Sequence, residues 1–553
     1  METNAILVTW QCPEKVDGVS HGPRTTATIS VSLTADTSVL SAGMDGQVAG
    51  RPSSSGKLGA VQLCAVLCLG AAVRLWGLGR ESIWLDEATS LIIARMNLRS
   101  VIEWAAADVH PPLYYALLHF WLPLGDSESV VRALSVFLGT ITLGVQYALA
   151  RDWFGARVAL LATLLLALSP LHVWYSQEVR MYVMVTLLCL LACHLLLQAL
   201  DCTNAGSGKL AWQARKYWLG YIVTATLALY THYFALWSLL FANLYAISCL
   251  WRRAWMHWRR WLVAQVIVAL LFLPWVPILY HQVTTGGGGW VERSLGRPTW
   301  YALVDTWLNF SIGLDGSLYP PLLRRLAYGV FALCLLIAVW RSVAPKTAQQ
   351  DDRARHTRHA LTFLLINCPL PLLAVWLASQ LKPMYSVRYL VVFLPYYCML
   401  VAVGLAGAPW RGTRWLGIII LSITAMIGIG ANYQALQNPD WRGVSALVHQ
   451  NAQEGDVALF SPRWNQKPFE YYNRGRVPTN MDLPIPVTAE AASRVVSEIS
   501  ERYGRVWLIW QEGHYSDPLG FAHALLQSRN APVYEWSFSG VNRVILYELE
   551  RSP

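Results

Sequence analysis

The sequence predicts an α-helical membrane protein with about eleven spans and a small α/β domain at its C-terminal end. Composition is the first reason: 55% of the residues are hydrophobic and only 14% are charged, whereas soluble globular proteins have about 25% charged residues. The second reason is that apolar runs of roughly 20 residues, the length that crosses a bilayer, recur along the chain. The third is a change near residue 435, where short strand-like and helical stretches begin to alternate.

The N-terminal segment, residues 1–56, is rich in Ser, Thr and Gly and has no sustained periodicity. It has no short apolar stretch followed by a small-residue cleavage site, so a signal peptide is not indicated. We expect a disordered cytoplasmic extension here, or sequence upstream of the true start. The transmembrane domain is then expected over residues 57–434.

Eleven apolar runs predict the spans of this domain. They cover roughly residues 58–76, 130–150, 157–175, 180–200, 217–231, 234–250, 261–281, 323–341, 360–380, 388–407 and 414–433. The run 112–124 is too short to cross a bilayer and predicts an interfacial helix.

Alternate loops between these runs contain most of the lysine and arginine side chains. The cation-rich loops lie near residues 151–157, 209–216, 252–260, 341–358 and 411–414. The positive-inside rule assigns these loops to the cytoplasm. The sequence therefore predicts a multi-pass protein of the plasma (inner) membrane whose other loops and C-terminal domain are extracytoplasmic.

The C-terminal region predicts the α/β domain, over residues 435–553. Strand-like runs occur at 457–460, 506–510, 533–538 and 543–549, and helical stretches occur at 488–503 and 518–529. A glycine-rich phosphate loop is absent from this sequence, so no nucleotide-binding role is expected.

The charge and the cysteines exclude other classes. The net charge of +10 indicates nucleic acid only weakly, because the cations occupy loops between spans, and no nucleic-acid partner is expected. The predicted outward loops contain no cysteine, so we expect no disulfide framework.

Asp86 and Glu87 are the leading candidates for catalysis, in the first predicted outward loop. A carboxylate at the membrane surface is well placed to act as a general base. The alternative is that Asp86 caps a helix from about Glu87 to Leu98. Neighbouring residues on a helix point about 100° apart, so we favour Asp86 as the base, with Glu87 as support.

Asp108 and His110 follow in the same loop, immediately before Pro111 and Pro112. The prolines keep the preceding residues out of a helix, so His110 lies on an extended entry to the interfacial helix. His110 can donate to a phosphate, or bind a metal together with a carboxylate. A histidine that only fixes the interface is the alternative, and the need for a divalent metal ion stays open.

Charged and aromatic residues mark three further outward junctions. Charge at such a position is costly unless it is paired or hydrated, so the arginines are candidates to bind a phosphate and their neighbours to orient a sugar. The alternative is side chains that snorkel from short turns, which we also expect for Arg74. The candidate substrate-binding residues of these junctions are Glu178, Arg180 and Tyr182; His232; and Arg388 and Tyr389. The glycine run Gly286–Gly289 is a candidate lid, or a plain flexible loop.

The order of these motifs resembles a known family. Trp-Leu-Asp-Glu (84–87), His-Pro-Pro-Leu-Tyr-Tyr (110–115), Ser-Gln-Glu-Val-Arg-Met-Tyr (176–182) and Ser-Val-Arg-Tyr-Leu (386–390) follow one another on the predicted outward side. Over about 57–434 the chain is similar to bacterial membrane glycosyltransferases of the C-type fold, the group that includes protein O-mannosyltransferases and the lipid A aminoarabinose transferase.

The resemblance implies an inverting transferase that uses a polyprenyl-phosphate sugar, a hexose or a pentose, with Asp86 as the base or the acceptor-binding carboxylate. We expect the acceptor to be a cell-envelope glycolipid, polysaccharide or protein, but the resemblance does not imply one of these. Signatures of one particular acceptor are not evident in this sequence. The alternative function is a transporter or flippase of a lipid-linked glycan, which would more naturally show internal repeats with broken helices.

Overall fold

The computed structural model describes residues 54–202, 209–251, 255–285, 296–314, 316–343, 352–434, 438–480, 482–511 and 516–549. The candidate lid Gly286–Gly289 and residues 1–53 of the predicted N-terminal extension lie outside the described residues. The chain divides into two units, Met1–Leu58 and Gly59–Pro553, and the described part of the first is the start of a helix. The predicted domain boundary at residue 435 stays a prediction.

Most of the described chain is helical. The first twelve helices are α1 (Ser54–Leu75), α2 (Leu85–Ala94), α3 (Leu98–Ala107), α4 (Leu113–Trp121), α5 (Glu128–Phe154), α6 (Ala156–Ala167), α7 (Pro170–Ser176), α8 (Tyr182–Cys202), α9 (Lys209–Leu229), α10 (Ala235–Leu250), α11 (Trp255–Phe272) and α12 (Val276–Thr285). The next seven are α13 (Tyr301–Ile312), α14 (Pro321–Val343), α15 (Asp352–Asn367), α16 (Pro369–Leu381), α17 (Val387–Leu390), α18 (Leu394–Ala406) and α19 (Arg411–Gln434). Short 3-10 turns occur at Leu122–Leu124, Leu273–Trp275, Gly316–Leu318 and Val391–Phe393.

Within the described ranges, eight segments are long and apolar enough to cross a membrane. They are Leu58–Leu75, Glu128–Phe154, Tyr182–Cys202, His257–Thr285, Pro321–Val343, Thr357–Leu381, Val387–Ala406 and Arg411–Tyr433. The helices α6 and α7 meet at a bend of 61° and make a ninth segment if they form one span. Pro170 begins α7, and a proline there ends the hydrogen-bond pattern of the preceding helix. The prediction of a multi-pass helical membrane protein is confirmed.

The other two predicted spans, 217–231 and 234–250, are also helical, but they do not meet the same criteria. The helix α9 begins with cations among its apolar residues, and α10 has 16 residues, which is short for a bilayer core of about 30 Å. Length and composition therefore support eight or nine spans, whereas the sequence predicted about eleven.

The C-terminal α/β region contains helices on both faces of one five-stranded sheet. Its helices are α20 (Trp441–Asn451), α21 (Gln466–Asn473), α22 (Ala489–Arg502) and α23 (Phe521–Arg529), with a 3-10 turn at Arg463–Asn465. Its strands are β1 (Asp456–Ser461), β2 (Thr479–Asn480), β3 (Arg505–Trp510), β4 (Pro532–Phe538) and β5 (Asn542–Glu548), in the order β2-β1-β3-β5-β4. The pairs β1–β2 and β1–β3 are parallel, and β5 pairs antiparallel with β3 and β4.

Burial explains this arrangement. All six residues of β1 are buried, because helices cover both faces of this strand. One face packs on α22 and α23, around Val496 and Leu526, and the other on α20, around Trp441 and Val444. The predicted small α/β domain is confirmed as a fold. The short strand β2 and the helices α20 and α21 were not predicted.

Two expectations about single residues were wrong. Asp86 does not cap α2: the cap is the extended Trp84, and Asp86 lies in the first helical turn. The helix also ends at Ala94 and not near Leu98. A separate helix, α3, follows it, and its N-cap Asn97 accepts a hydrogen bond from the Ser100 N–H at 3.0 Å.

Arg74 does not snorkel. It is fully buried, and it donates hydrogen bonds to the carbonyls of Leu166 and Ala167 at the end of α6 and to His172 Nδ1 at 2.7 Å. The bend between α6 and α7 interrupts the regular backbone hydrogen bonds of the helix, and Arg74 donates to two carbonyl oxygens at this bend.

Candidate active site

A buried ion pair fixes α2 against the transmembrane helices. Glu87 accepts hydrogen bonds from Arg132 Nε at 2.8 Å and Nη2 at 2.6 Å, and both side chains are almost fully buried. The Val179 N–H donates to the same carboxylate at 3.0 Å. Removing one partner of such a pair leaves a buried charge uncompensated. The pair therefore holds α2, α5 and the segment after α7 in one arrangement.

Asp86 projects from α2 beside a second cation. Its Oδ2 lies 3.4 Å from Arg388 Nη1, and the side chains of Asp86 and Arg388 are 30% and 40% exposed. This partial exposure distinguishes Asp86 from its neighbour Glu87, which is closed off from solvent. A ligand can therefore reach Asp86 without breaking the buried pair.

Arg180 contacts Asp86 from the turn between α7 and α8. Its Nη1 donates to the Asp86 carbonyl at 3.4 Å and to Ser90 Oγ at 3.3 Å, and its guanidinium lies 5.8 Å from the ring centre of Tyr182. Burial lowers the pKa of Arg180, but Tyr182 and Asp86 outweigh burial and keep this pKa well above its ordinary value. The buried Nε has no hydrogen-bond partner among the described residues, so Arg180 can donate a further hydrogen bond to an anionic group.

His110 and His232 face each other with ring centres 5.2 Å apart, and both are buried. Burial and the charge of Arg180 lower the pKa of His232 to about 3, and the same causes hold the pKa of His110 well below its ordinary value. Both rings are therefore neutral. His232 Nδ1 accepts the Phe234 N–H at 3.1 Å, so the ring proton is on Nε2, where it has no partner in the described part of the chain.

Asp108 ends α3 two positions before His110. Burial raises the pKa of its carboxyl group, and the positive charge of Arg180 opposes that rise. The negative charge of Asp86 adds to the rise in the pKa of Asp108. Both therefore lie in one electrostatic neighbourhood, reached from different helices.

Glu178 is buried among other charged groups. Trp174 Nε1 donates to its Oε1 at 2.8 Å, while Oε2 has no partner within the described ranges. Burial and the charges of Glu87 and Asp86 raise its pKa to about 8. Glu178 is therefore mostly protonated at neutral pH and can donate a hydrogen bond. It lines a small polar cavity of about 40 Å³ together with Arg132.

Aromatic rings complete the wall of the site. The ring centres of Tyr182 and Tyr389 are 6.2 Å apart, and Tyr389 lies 5.1 Å from His232. The ten candidate residues, which come from five separate segments of the sequence, are thus brought together around α2.

An apolar groove of about 440 Å³ opens at the two histidines. His110, His232, Tyr389 and Lys382 are among the residues that line it. The rest of the lining is largely apolar and comes from α10, α12 and the segment before α17: Leu236, Trp237, Leu240, Leu279, Val283, Pro383 and Met384. The groove is large enough for a drug-sized ligand, and its apolar walls suit a hydrocarbon chain.

Sequence reasoning missed three residues of the site. Arg132 could have been noticed, because a charge near the start of an apolar run is costly unless it is paired. Ser90 and Lys467 gave no comparable signal, and Lys467 is 381 positions from Asp86 along the chain, so that only the fold brings the two together. Among the described residues, no group of three or more His, Cys, Asp or Glu side chains could hold a metal ion.

Comparisons with known proteins give a family match over part of the chain and solved structures with a similar fold. Residues 109–278 match the family of dolichyl-phosphate-mannose-protein mannosyltransferases. No curated protein sequence matches the chain at a significant level.

Solved structures share the fold. Apo ArnT from Cupriavidus metallidurans has a TM-score of 0.56 at 12% identity, covering 89% of this chain and 98% of ArnT. ArnT bound to undecaprenyl phosphate has a TM-score of 0.54 at 12% identity, covering 90% and 99%. The oligosaccharyltransferase AglB from Archaeoglobus fulgidus, in complex with an inhibitory peptide and a dolichol-phosphate, has a TM-score of 0.52 at 11% identity, covering 88% and 74%.

The resemblance inferred from the motifs is confirmed, and the matched segment contains the histidines, Glu178 and Arg180. The chain has the fold of the C-type membrane glycosyltransferases and is similar, over residues 109–278, to the dolichyl-phosphate-mannose-protein mannosyltransferases.

Proposed function

We propose that this protein is an inverting glycosyltransferase that moves a hexose or pentose from a polyprenyl-phosphate donor to a cell-envelope acceptor. The single observation that supports this most is the partly exposed carboxylate of Asp86. Asp86 lies beside Arg388 and Arg180, and Tyr389, the residue that follows Arg388, lines an apolar groove. A base, phosphate-binding cations and a hydrocarbon site are the three things that the reaction requires.

The donor lipid occupies the groove in this proposal. Its phosphate lies between Arg180 and Arg388, whose planar guanidinium groups suit phosphate oxygens, and His232 Nε2–H donates a further hydrogen bond. The ligands of two solved structures with the same fold support this arrangement, since ArnT binds undecaprenyl phosphate and AglB binds dolichol-phosphate. The neutral state of His232 means that it contributes a hydrogen bond without adding charge.

Asp86 acts on the acceptor. The acceptor oxygen attacks the anomeric carbon, its proton passes to Asp86, and the bond from that carbon to the phosphate oxygen breaks. Polyprenyl phosphate leaves as a stable anion, so one carboxylate suffices, and attack opposite to the leaving group inverts the anomeric centre. Arg388 must release Asp86 during this step, and the donor phosphate is the group that would draw Arg388 away.

The other candidates have supporting roles. Glu87 positions Asp86 through the pair with Arg132 and does not itself touch substrate. Glu178, protonated near neutral pH, and Asp108, Tyr182, His110 and Tyr389 orient the sugar or the phosphate. The acceptor is a glycolipid, a polysaccharide or a protein of the envelope, and the site faces the extracytoplasmic side of the plasma membrane.

The test is incubation of purified protein with a panel of polyprenyl-phosphate sugars and envelope extracts, followed by mass spectrometry. A covalent product that depends on Asp86 supports the proposal. A lipid-linked glycan transporter would use the same groove but would move its ligand between leaflets of proteoliposomes without forming a product, and that result would replace the proposal.

A further inference from the structure

Lys467 belongs to the C-terminal α/β region yet lies at the candidate active site. It is in the first turn of α21, which packs against α2. Its Nζ donates to Thr89 Oγ1 at 3.4 Å and lies 6.0 Å from the ring centre of Trp104. Thr89 is one helical turn after Asp86, so the ammonium group reaches the same face of α2 as the proposed base.

The charges around Lys467 are close but not paired with it. Burial lowers the pKa of Lys467, and the carboxylates of Asp108 and Asp86 oppose that shift. No carboxylate oxygen in the described part of the chain lies within 4.0 Å of its Nζ. An ammonium has three donors, and the contact with Thr89 uses one of them.

Other cations of the same interface are different, because they are paired. Arg442 forms an ion pair with Glu128 at 2.7 Å, and Arg474 forms one with Asp126 at 3.4 Å. Neutral contacts also join the two parts of the chain, such as the Ile83 N–H that donates to the Tyr472 hydroxyl at 2.7 Å. The region is therefore held in place without Lys467, and this lysine is left with donors that a ligand can use.

We propose that Lys467 is a substrate-binding residue, and that its ammonium group holds an anionic oxygen of a substrate near Thr89 and Trp104, at the edge of the candidate active site. The C-terminal region would thereby complete the active site instead of only covering it. The anion belongs to the donor phosphate or to a phosphate or carboxylate of the acceptor. The identity of the substrate rests on the proposed function, whereas the existence of an anion-binding site at Lys467 does not.

Differential acylation of lysines tests this assignment in the full-length protein. Detergent-solubilised protein is treated with an amine-acetylating reagent, and modification of Lys467, Lys382 and Lys216 is measured by mass spectrometry. The probes are undecaprenyl phosphate, glucose 1-phosphate with and without saturating undecaprenyl phosphate, and neutral methyl glucoside. Lys382 reports on the groove. Lys216 is the internal control, since it lies on α9 against Trp212.

We expect an anionic probe to slow acetylation of Lys467 several-fold with saturation, while methyl glucoside leaves it unchanged. Protection by undecaprenyl phosphate alone assigns the anion to the donor. Protection by glucose 1-phosphate after saturation with undecaprenyl phosphate assigns it to the acceptor. Lys467 modified equally fast with every probe would overturn the inference, whatever happens at Lys382. Failure of undecaprenyl phosphate to protect Lys382 would instead count against the proposed donor groove.

Variants separate binding from a structural role. Lys467→Gln should weaken the protecting anion by about tenfold, the usual scale of one charge-assisted contact, and Lys467→Arg should restore most of that loss. Arg474→Gln is the matched control, because it removes a cation from the same interface away from the site. Equal loss of binding in Lys467→Gln and Arg474→Gln would mean that Lys467 only fastens the region, and the inference would be wrong.

Discussion

Arg388 Nη1 lies 3.4 Å from Asp86 Oδ2, although 302 positions separate the two residues in the chain. Arg388 comes from the start of α17 and Asp86 from α2. Both side chains are partly exposed, so the pair is weak in stability terms and can be opened by an anionic ligand. The proposed base and one of the proposed phosphate-binding cations are therefore in contact with each other.

Asp86→Asn should lower turnover by about 10² or more, the usual scale for a positioned acid–base group. Asparagine keeps the shape of the side chain but removes the basic form. Because Trp84 and not Asp86 caps α2, neither Asp86→Asn nor Asp86→Ala should lose the stability of a helix cap. Product formation and thermal unfolding in detergent measure both effects. Glu103→Gln, at an exposed pair on α3, is the control, and an active Asp86→Asn would show that the base is another group.

Glu87→Gln and Arg132→Met should each destabilise the protein, by about 3–5 kcal/mol, because each leaves a buried charge without its partner. The double variant should recover part of the loss, since both charges are then absent. Thermal unfolding of the three variants measures this. If Glu87→Gln unfolds like the parent protein yet loses turnover, Glu87 takes part in catalysis and does not only position Asp86.

Arg180→Ala and Arg388→Ala should each weaken the binding of undecaprenyl phosphate by roughly tenfold or more. The loss of one charge-assisted hydrogen bond costs about 1.5–3 kcal/mol. Arg388→Lys should retain only part of the affinity, because an ammonium cannot match two phosphate oxygens at once. Titration with the labelled lipid gives the dissociation constants. Unchanged constants in both alanine variants would assign these arginines to anchoring.

Stability should fall as the pH rises toward 8, and Glu178 should be a cause. Its folded-state pKa of about 8 lies above the ordinary value of 4.5, so the native state binds more protons than the unfolded state between these values. The free energy of unfolding then decreases with pH, by up to about 1.4 kcal/mol per pH unit for one group. Glu178→Gln should flatten this slope when unfolding is followed from pH 5 to pH 8. An unchanged slope would mean that Glu178 is ionised in the folded protein.

Reporter fusions after residues 205 and 350 should behave as cytoplasmic, and fusions after residues 300 and 545 as extracytoplasmic. The expectation rests on the cations of the loops. The structure adds a constraint, since Tyr472 of the C-terminal region contacts Ile83 beside α2, which requires both to be on one side of the membrane. A cytoplasmic reporter signal at residue 545 would mean that the candidate active site faces the cytoplasm, contrary to this prediction.

Sequence alone determined the class of the protein and the identity of most candidate residues. The length of an apolar run and the distribution of charge along the chain are local properties, so most of the long apolar helices and their order were predictable. The same holds for the strands β1, β3, β4 and β5. The motif residues were recognisable because each lies within a short segment of fixed spacing.

Tertiary structure decided which charged side chains are buried and paired and which stay partly exposed. Asp86 and Glu87 are adjacent in sequence, yet Glu87 is buried against Arg132 while Asp86 remains open to a ligand. The partners of Arg74 were likewise decided by the fold, because they are carbonyls of a bent helix 92 and 93 positions away in the chain. Lys467 joins the site from the far end of the chain. Burial and the partner of a charge depend on which helices pack together, and a sequence read one segment at a time does not contain those contacts.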